Sequence, residues 1–185
     1  MRVKATWNTK DKAHSLEESA SVLGFNIWKL CGDMLLDLEN ENFQVDTYAQ
    51  RLDVMAETAA FLLQVTDRMV YGQFSEEDRM TLIRTLGIHL METMQDNRVD
   101  AQGEGDYRND FVQLLNDRAE DYAECNFDDG EPGFSFRRNY GVHVMKVMGE
   151  RDNRWVQDYV MDVSASNTVK TLKRIVAKAF PDLVI

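Results

Sequence analysis

The sequence predicts an all-α protein, an antiparallel helical bundle of about six or seven helices with a helical C-terminal extension. Three observations predict it. Apolar side chains recur every three or four residues along most of the chain. Helix-opening residues stand at the right offset before the long stripes. Only two prolines and ten glycines interrupt 185 residues. Strand-like runs are too few for a sheet, although residues 2–7 suit an extended segment.

Residues 1–14 read as a polar N-terminal arm, with Trp7 isolated in it as an anchor for a partner or for the body of the protein. The first helix opens at Ser15, with Glu18 at capping-box spacing. Its stripe, Leu16, Ala20, Leu23, Ile27, Leu30, Met34 and Leu38, steps by four and three, and the polar run at residues 39–42 ends it. Thr47 and Gln50 repeat the capping spacing and open a second helix to about Tyr71. Leu52, Met55, Ala59, Leu62, Thr66 and Met69 form one face, and Val54, Phe61 and Val65 lie almost opposite. Only a narrow polar strip of Asp53, Glu57, Gln64 and Arg68 is left over. A helix apolar on two sides is either central to a bundle or part of a subunit interface.

Ser75 followed by Glu76, Glu77 and Asp78 places a cap and anions at the positive end of a third helix. That helix is expected to run to about Asp96, with Met80, Ile83, Leu86, Leu90 and Met94 inward, before a polar loop over residues 97–105. Asp106 caps a fourth helix carrying Phe111, Leu114, Leu115, Tyr122 and Cys125. The segment at residues 126–133, NFDDGEPG, is the clearest break. Phe136, Tyr140, Val144 and Val147 mark a fifth helix, and Trp155, Tyr159 and Val163 a sixth, capped by Asp152. The polar residues 165–167 lead into a last, basic helix with Val169, Leu172, Val176 and Phe180 on one side, stopped by Pro181. The reading is therefore a single domain over 1–185, with four long helices in 15–126 and shorter ones in 134–180.

Apolar residues at 44% and charged residues at 29% exclude a disordered chain. No run approaches the ~20 apolar residues needed to span a bilayer. The N-terminal residues lack the apolar core of a secretory leader. Cys31 and Cys125 form no disulfide framework, so a reducing, cytoplasmic setting is expected. The net charge of −11 is unevenly spread. Residues 31–131 hold seven basic and twenty-four acidic groups, residues 132–185 nine basic and five acidic. Such a negative field repels phosphate backbones and argues against nucleic acid as a partner. The basic C-terminal third either contacts an acidic partner or neutralises the acidic middle of its own chain or a twin.

Two arginines break the apolar pattern. Arg118 falls in the middle of the fourth helix's apolar arc, and Arg137 within that of the fifth. A buried guanidinium needs a carboxylate or several carbonyls. One reading is a core ion pair or an outward-snorkelling side chain. The other is an anion-binding pocket formed by Arg118, Arg137, Arg138 and Tyr140, with Glu57 and Asp53 as acids in an enzyme variant of the same site.

Metal sites are weakly supported. Asp128, Asp129 and Glu131 on one tight turn could hold a hard cation or reach back to Arg137 and Arg138. The acidic stretch from Asp96 to Asp106 fails the EF-hand pattern, because Tyr107 or Phe111 falls where a glutamate is required. No Glu-x-x-His is present for a di-iron bundle. His89, Glu92 and Asp96 are expected to face water, His14 with Glu18 and Asp11 sits at a helix start, and His143 flanks an apolar face. Nucleophile elbows, Cys-x-x-Cys pairs and nucleotide-binding glycine motifs are missing, so no cofactor is expected. The function expected is a non-catalytic interaction and dimerisation module of the cytoplasm, a homodimer with a possible further protein partner. The alternative is a small-molecule (anion) or metal-dependent enzyme with a site between helices.

Overall fold

The computed structural model describes residues 15–148 and 153–184 of the chain. It is an all-α bundle: α1 Leu16–Asn40, α2 Tyr48–Val70, α3 Glu76–Gln102, α4 Arg108–Ala123, α5 Phe134–Met148, α6 Asn153–Tyr159 and α7 Ala165–Ala179. The N-terminal arm, with Trp7, Asp11, His14 and residues 2–7, lies outside the described residues, as does the cap expected at Asp152.

Three of the expected helix starts are in place, and the cap expected at Asp106 is corrected. Ser15 and Glu18 form a reciprocal capping box, and Thr47 accepts a hydrogen bond from the Gln50 amide. Ser75 accepts from the Asp78 amide. At α4 the capping residue is Tyr107, while the Asp106 carboxylate accepts from the Arg108 amide at 3.2 Å. The Gln50 side chain also donates to the carbonyls of Val147 and Met148, at 3.0 and 2.9 Å, so one residue ties the start of α2 to the end of α5.

The doubly apolar α2 is central to the bundle. Its buried residues extend around the helix, from Leu52, Val54 and Ala56 through Phe61 and Leu62 to Val70. It packs on α1, α3, α4, α5 and α7. The two apolar faces are therefore covered within the chain. Phe61 stacks on Tyr140 with ring centroids 4.1 Å apart and meets Phe136 edge-on at 5.6 Å, while Tyr122 stacks on Phe136 at 4.5 Å.

Several sequence expectations are corrected. Helix α3 continues to Gln102 instead of stopping near Asp96, because residues 97–102 are tied down as helix. Asn97 donates to the Thr93 carbonyl at 2.7 Å and Arg98 pairs with Asp53. The stop comes at Gly103, whose φ of 91° lies in the left-handed region. Met80, expected inward, is exposed, and Leu82 is buried in its place.

The segment NFDDGEPG forms a two-stranded hairpin, β1 Phe127–Asp128 and β2 Glu131–Pro132, antiparallel with Asp128 opposite Glu131. Asp129 and Gly130 both have positive φ, 52° and 72°, as a two-residue hairpin turn requires.

The polar residues at 165–167 break nothing. Helix α6 runs through a π-helical turn, Val160–Ser164, directly into α7. The buried stripe explains this: Val156, Val160, Ala165, Val169, Leu172 and Val176 step by four, five, four, three and four. The single step of five is the extra residue of the π turn, which keeps both halves facing the core. Trp155 and Val163, expected inward, are exposed, because the buried stripe already runs through Val156 and Val160 before the turn. Gly141 of α5 lets this rod approach, since a Cβ there would lie 2.8 Å from the Gln157 carbonyl oxygen.

Candidate functional site

The narrow polar strip on α2 is a set of ties to neighbouring helices. Asp53 holds Arg98 of α3. Arg68 donates to the carbonyls of Tyr122 and Ala123, at 3.2 and 2.9 Å, where a cation suits the negative end of α4. Between them Glu57 is buried and takes a two-pronged hydrogen bond from Arg118, with Nε and Nη2 both at 2.7 Å from its carboxylate oxygens. Arg118 also donates to Asp121 at 3.2 Å. The guanidinium is held charged, above its ordinary range, chiefly by the hydrogen bonds to Glu57.

Asp121 carries the network on to His143 of α5, whose Nε2 lies 3.1 Å from its carboxylate. The pulls on this histidine conflict. Glu57 and Asp121 favour its charged form, while burial first, and then Arg118, oppose it, leaving its pKa below the usual range. Burial wins because Nδ1 is buried without a hydrogen-bond partner. Neutral imidazole leaves a bare lone pair there, whereas protonation would strand an N–H. Next to it the Tyr122 hydroxyl is also buried without a partner, and burial with Glu57 nearby pushes its pKa well up.

Tyr140 is fully buried, with its hydroxyl 3.0 Å from Thr58 Oγ1. Burial pushes its pKa up, as it does for the Cys31 thiol. Neither group is poised to donate or accept a proton near neutral pH. Cys31 and Cys125 are both free and buried.

Arg137 has other neighbours. It is half-buried, its Nε is buried without a hydrogen-bond partner, and it lines a recess of about 240 Å³ with Glu131, Pro132 and Ser166. Arg138 is exposed. The four sequence candidates for an anion site are thus divided. Arg118 is neutralised by Glu57, Tyr140 is sealed in the aromatic core, and Arg137 faces the recess. Asp53 and Glu57, considered as acids, are each committed to an arginine.

The acidic turn does not reach back to Arg137 and Arg138 by an ion pair; Glu131 pairs with Lys173 of α7. Among the described residues no three His, Cys, Asp or Glu side chains are gathered as metal ligands. Glu92 and Asp96 are exposed as expected, with Glu92 paired to Arg108. His89 is corrected: it turns to α1, with Nε2 2.6 Å from Ser21 Oγ and its Cβ against Gly24. His143, expected to flank an apolar face as a core or boundary residue, is buried, but its link through Asp121 to Arg118 was not expected. The available signal was Glu57, a carboxylate hemmed in by apolar neighbours on a helix buried on both sides.

A different surface lies between α1 and α7. Val22, Leu23 and Phe25 of α1 face Ile175, Arg174 and Lys178 of α7 across a groove of about 490 Å³. No carboxylate lines it among the described residues, and neither Arg174 nor Lys178 has an ion-pair partner there. Phe25 is exposed. Among the described residues no helix is long and apolar enough to cross a membrane. Compared with models of known protein families, with curated proteins and with solved structures, the chain matches none.

Proposed function

We propose that the protein is a non-catalytic interaction module of the cytoplasm, which binds an acidic amphipathic helix of a partner protein in the α1–α7 groove. The observation that supports this reading is the groove itself: an apolar lining with an exposed Phe25, rimmed by two cations with no ion pair among the described residues, on a chain whose net charge is −11. An apolar helix face supplies anchors for such a lining, and glutamates beside it meet Arg174 and Lys178. The two free thiols suit a reducing compartment.

The test is isothermal titration with two synthetic helical peptides that share one leucine face, one flanked by glutamates and one by lysines. The acidic peptide binds, more weakly as salt rises, and Phe25→Glu or Lys178→Glu weakens it about tenfold or more. Equal binding of the two peptides, or none of the acidic one, would overturn the reading.

A homodimer is a second reading. The covering of α2 within the chain removes its original basis, but another surface favours it. Exposed Leu36 and Tyr48 border a hollow of about 420 Å³ with Trp28 and Met55. Light scattering at micromolar concentration should then report a dimer that Leu36→Glu splits. A wild-type monomer ends this reading.

A further inference from the structure

We propose that the recess at Arg137 is a binding site for a small tetrahedral oxyanion, inorganic phosphate or a small phosphate monoester. It is separate from the α1–α7 groove and does not depend on it.

The argument starts from how arginines are satisfied elsewhere. Arg79, Arg98, Arg108 and Arg118 each meet a carboxylate, and Arg68 meets two carbonyls. Arg137 is half-buried on α5 and its guanidinium has no hydrogen bond or ion pair with any described residue, although its Nε is cut off from water. A donor in that position is costly unless something accepts from it.

The recess is built to supply the remaining contacts. Ser166 lines it beside Arg137 and carries a hydroxyl, and Lys173, two turns along the same face of α7, stands outside that lining, over the hairpin turn and paired with Glu131. The volume of about 240 Å³ corresponds to roughly eight waters at ~30 Å³ each, room for a tetrahedral anion with a small substituent. Arg137 lines the recess, and the two terminal nitrogens of its planar guanidinium form a fork that suits two oxygens of one phosphate.

The carboxylate on the rim is the apparent obstacle. Glu131 pairs with Lys173, and its side chain is 53% exposed. An arriving dianion takes over Lys173, and the Glu131 carboxylate turns outward to water. Binding therefore replaces one exposed ion pair, of little net worth, by contacts to two cations, one of them previously unsatisfied.

The test is an amide-shift titration of the full chain with inorganic phosphate and, in parallel, methyl phosphate. Saturable shifts at residues 131–137 and 166–173 are expected at millimolar anion. Arg137→Gln weakens them about tenfold or more, while Arg138→Gln leaves them unchanged. Saturation by methyl phosphate as well identifies the monoester as a ligand; saturation by phosphate alone limits the site to the free ion. If Arg137→Gln does not fold, Lys173→Gln and Ser166→Ala carry the same comparison. No saturable shift with either anion, or equal shifts in wild type and Arg137→Gln, would overturn the proposal.

Discussion

Arg118 and Arg137 occupy the same sort of place in the sequence and opposite situations in the fold. Each interrupts an apolar stripe on a helix packed against α2. Arg118 meets a buried carboxylate through two hydrogen bonds of 2.7 Å. Arg137 meets none among the described residues, and its Nε is buried unpartnered beside a recess. The difference lies in what the neighbouring element offers. Helix α2 presents Glu57 to α4, whereas the hairpin presents Glu131, already held by Lys173. A cation on such a stripe is thus a structural part where the chain supplies its counter-charge, and where it does not, we propose, a site for a ligand.

The comparison breaks most visibly at Glu57. Glu57→Gln leaves Arg118 half-buried with only Asp121 for its charge, and should cost about 3–5 kcal/mol in urea denaturation. A paired Glu57→Met, Arg118→Leu substitution removes both charges and should recover most of that loss. A double variant as unstable as Glu57→Gln would show that the pair does more than neutralise itself.

A smaller effect follows from His143, at the far end of the same network. Its pKa in the fold is lowered, so the unfolded chain binds its proton more readily. Stability from this group is therefore present above the ordinary histidine range and lost as pH falls through it. Urea midpoints should drop between pH 7.5 and pH 5.5, and His143→Gln should flatten that drop. An unchanged slope in the variant would place the titrating group elsewhere. No such dependence is expected from the Arg137 recess, which contains no histidine.

Much of the architecture was legible in the sequence because it rests on repeating patterns. The stripe of α1 and the caps at Ser15, Thr47 and Ser75 stand where spacing put them. Features set by a single residue of phase were not. The π turn shifts the stripe by one residue between Val160 and Ala165, and ahead of it the stripe runs through Val156 and Val160, one residue from the expected Trp155 and Tyr159. The hairpin was read as an acidic turn, although Asp129-Gly130 is a strong signal for a two-residue turn. At the site, periodicity put Arg118 and Arg137 on apolar arcs, and both side chains are half-buried. It could not pair them, because partners on other helices depend on which faces meet, and His89 met α1 for the same reason.

The most direct test of the contrast is urea denaturation of Arg118→Gln and Arg137→Gln side by side. Arg118→Gln should lose about 3–5 kcal/mol, because Glu57 is left buried without its cation. Arg137→Gln should stay within about 0.5 kcal/mol of wild type, since no protein partner is lost. Equal destabilisation by the two substitutions, or a neutral Arg118→Gln, would contradict the account.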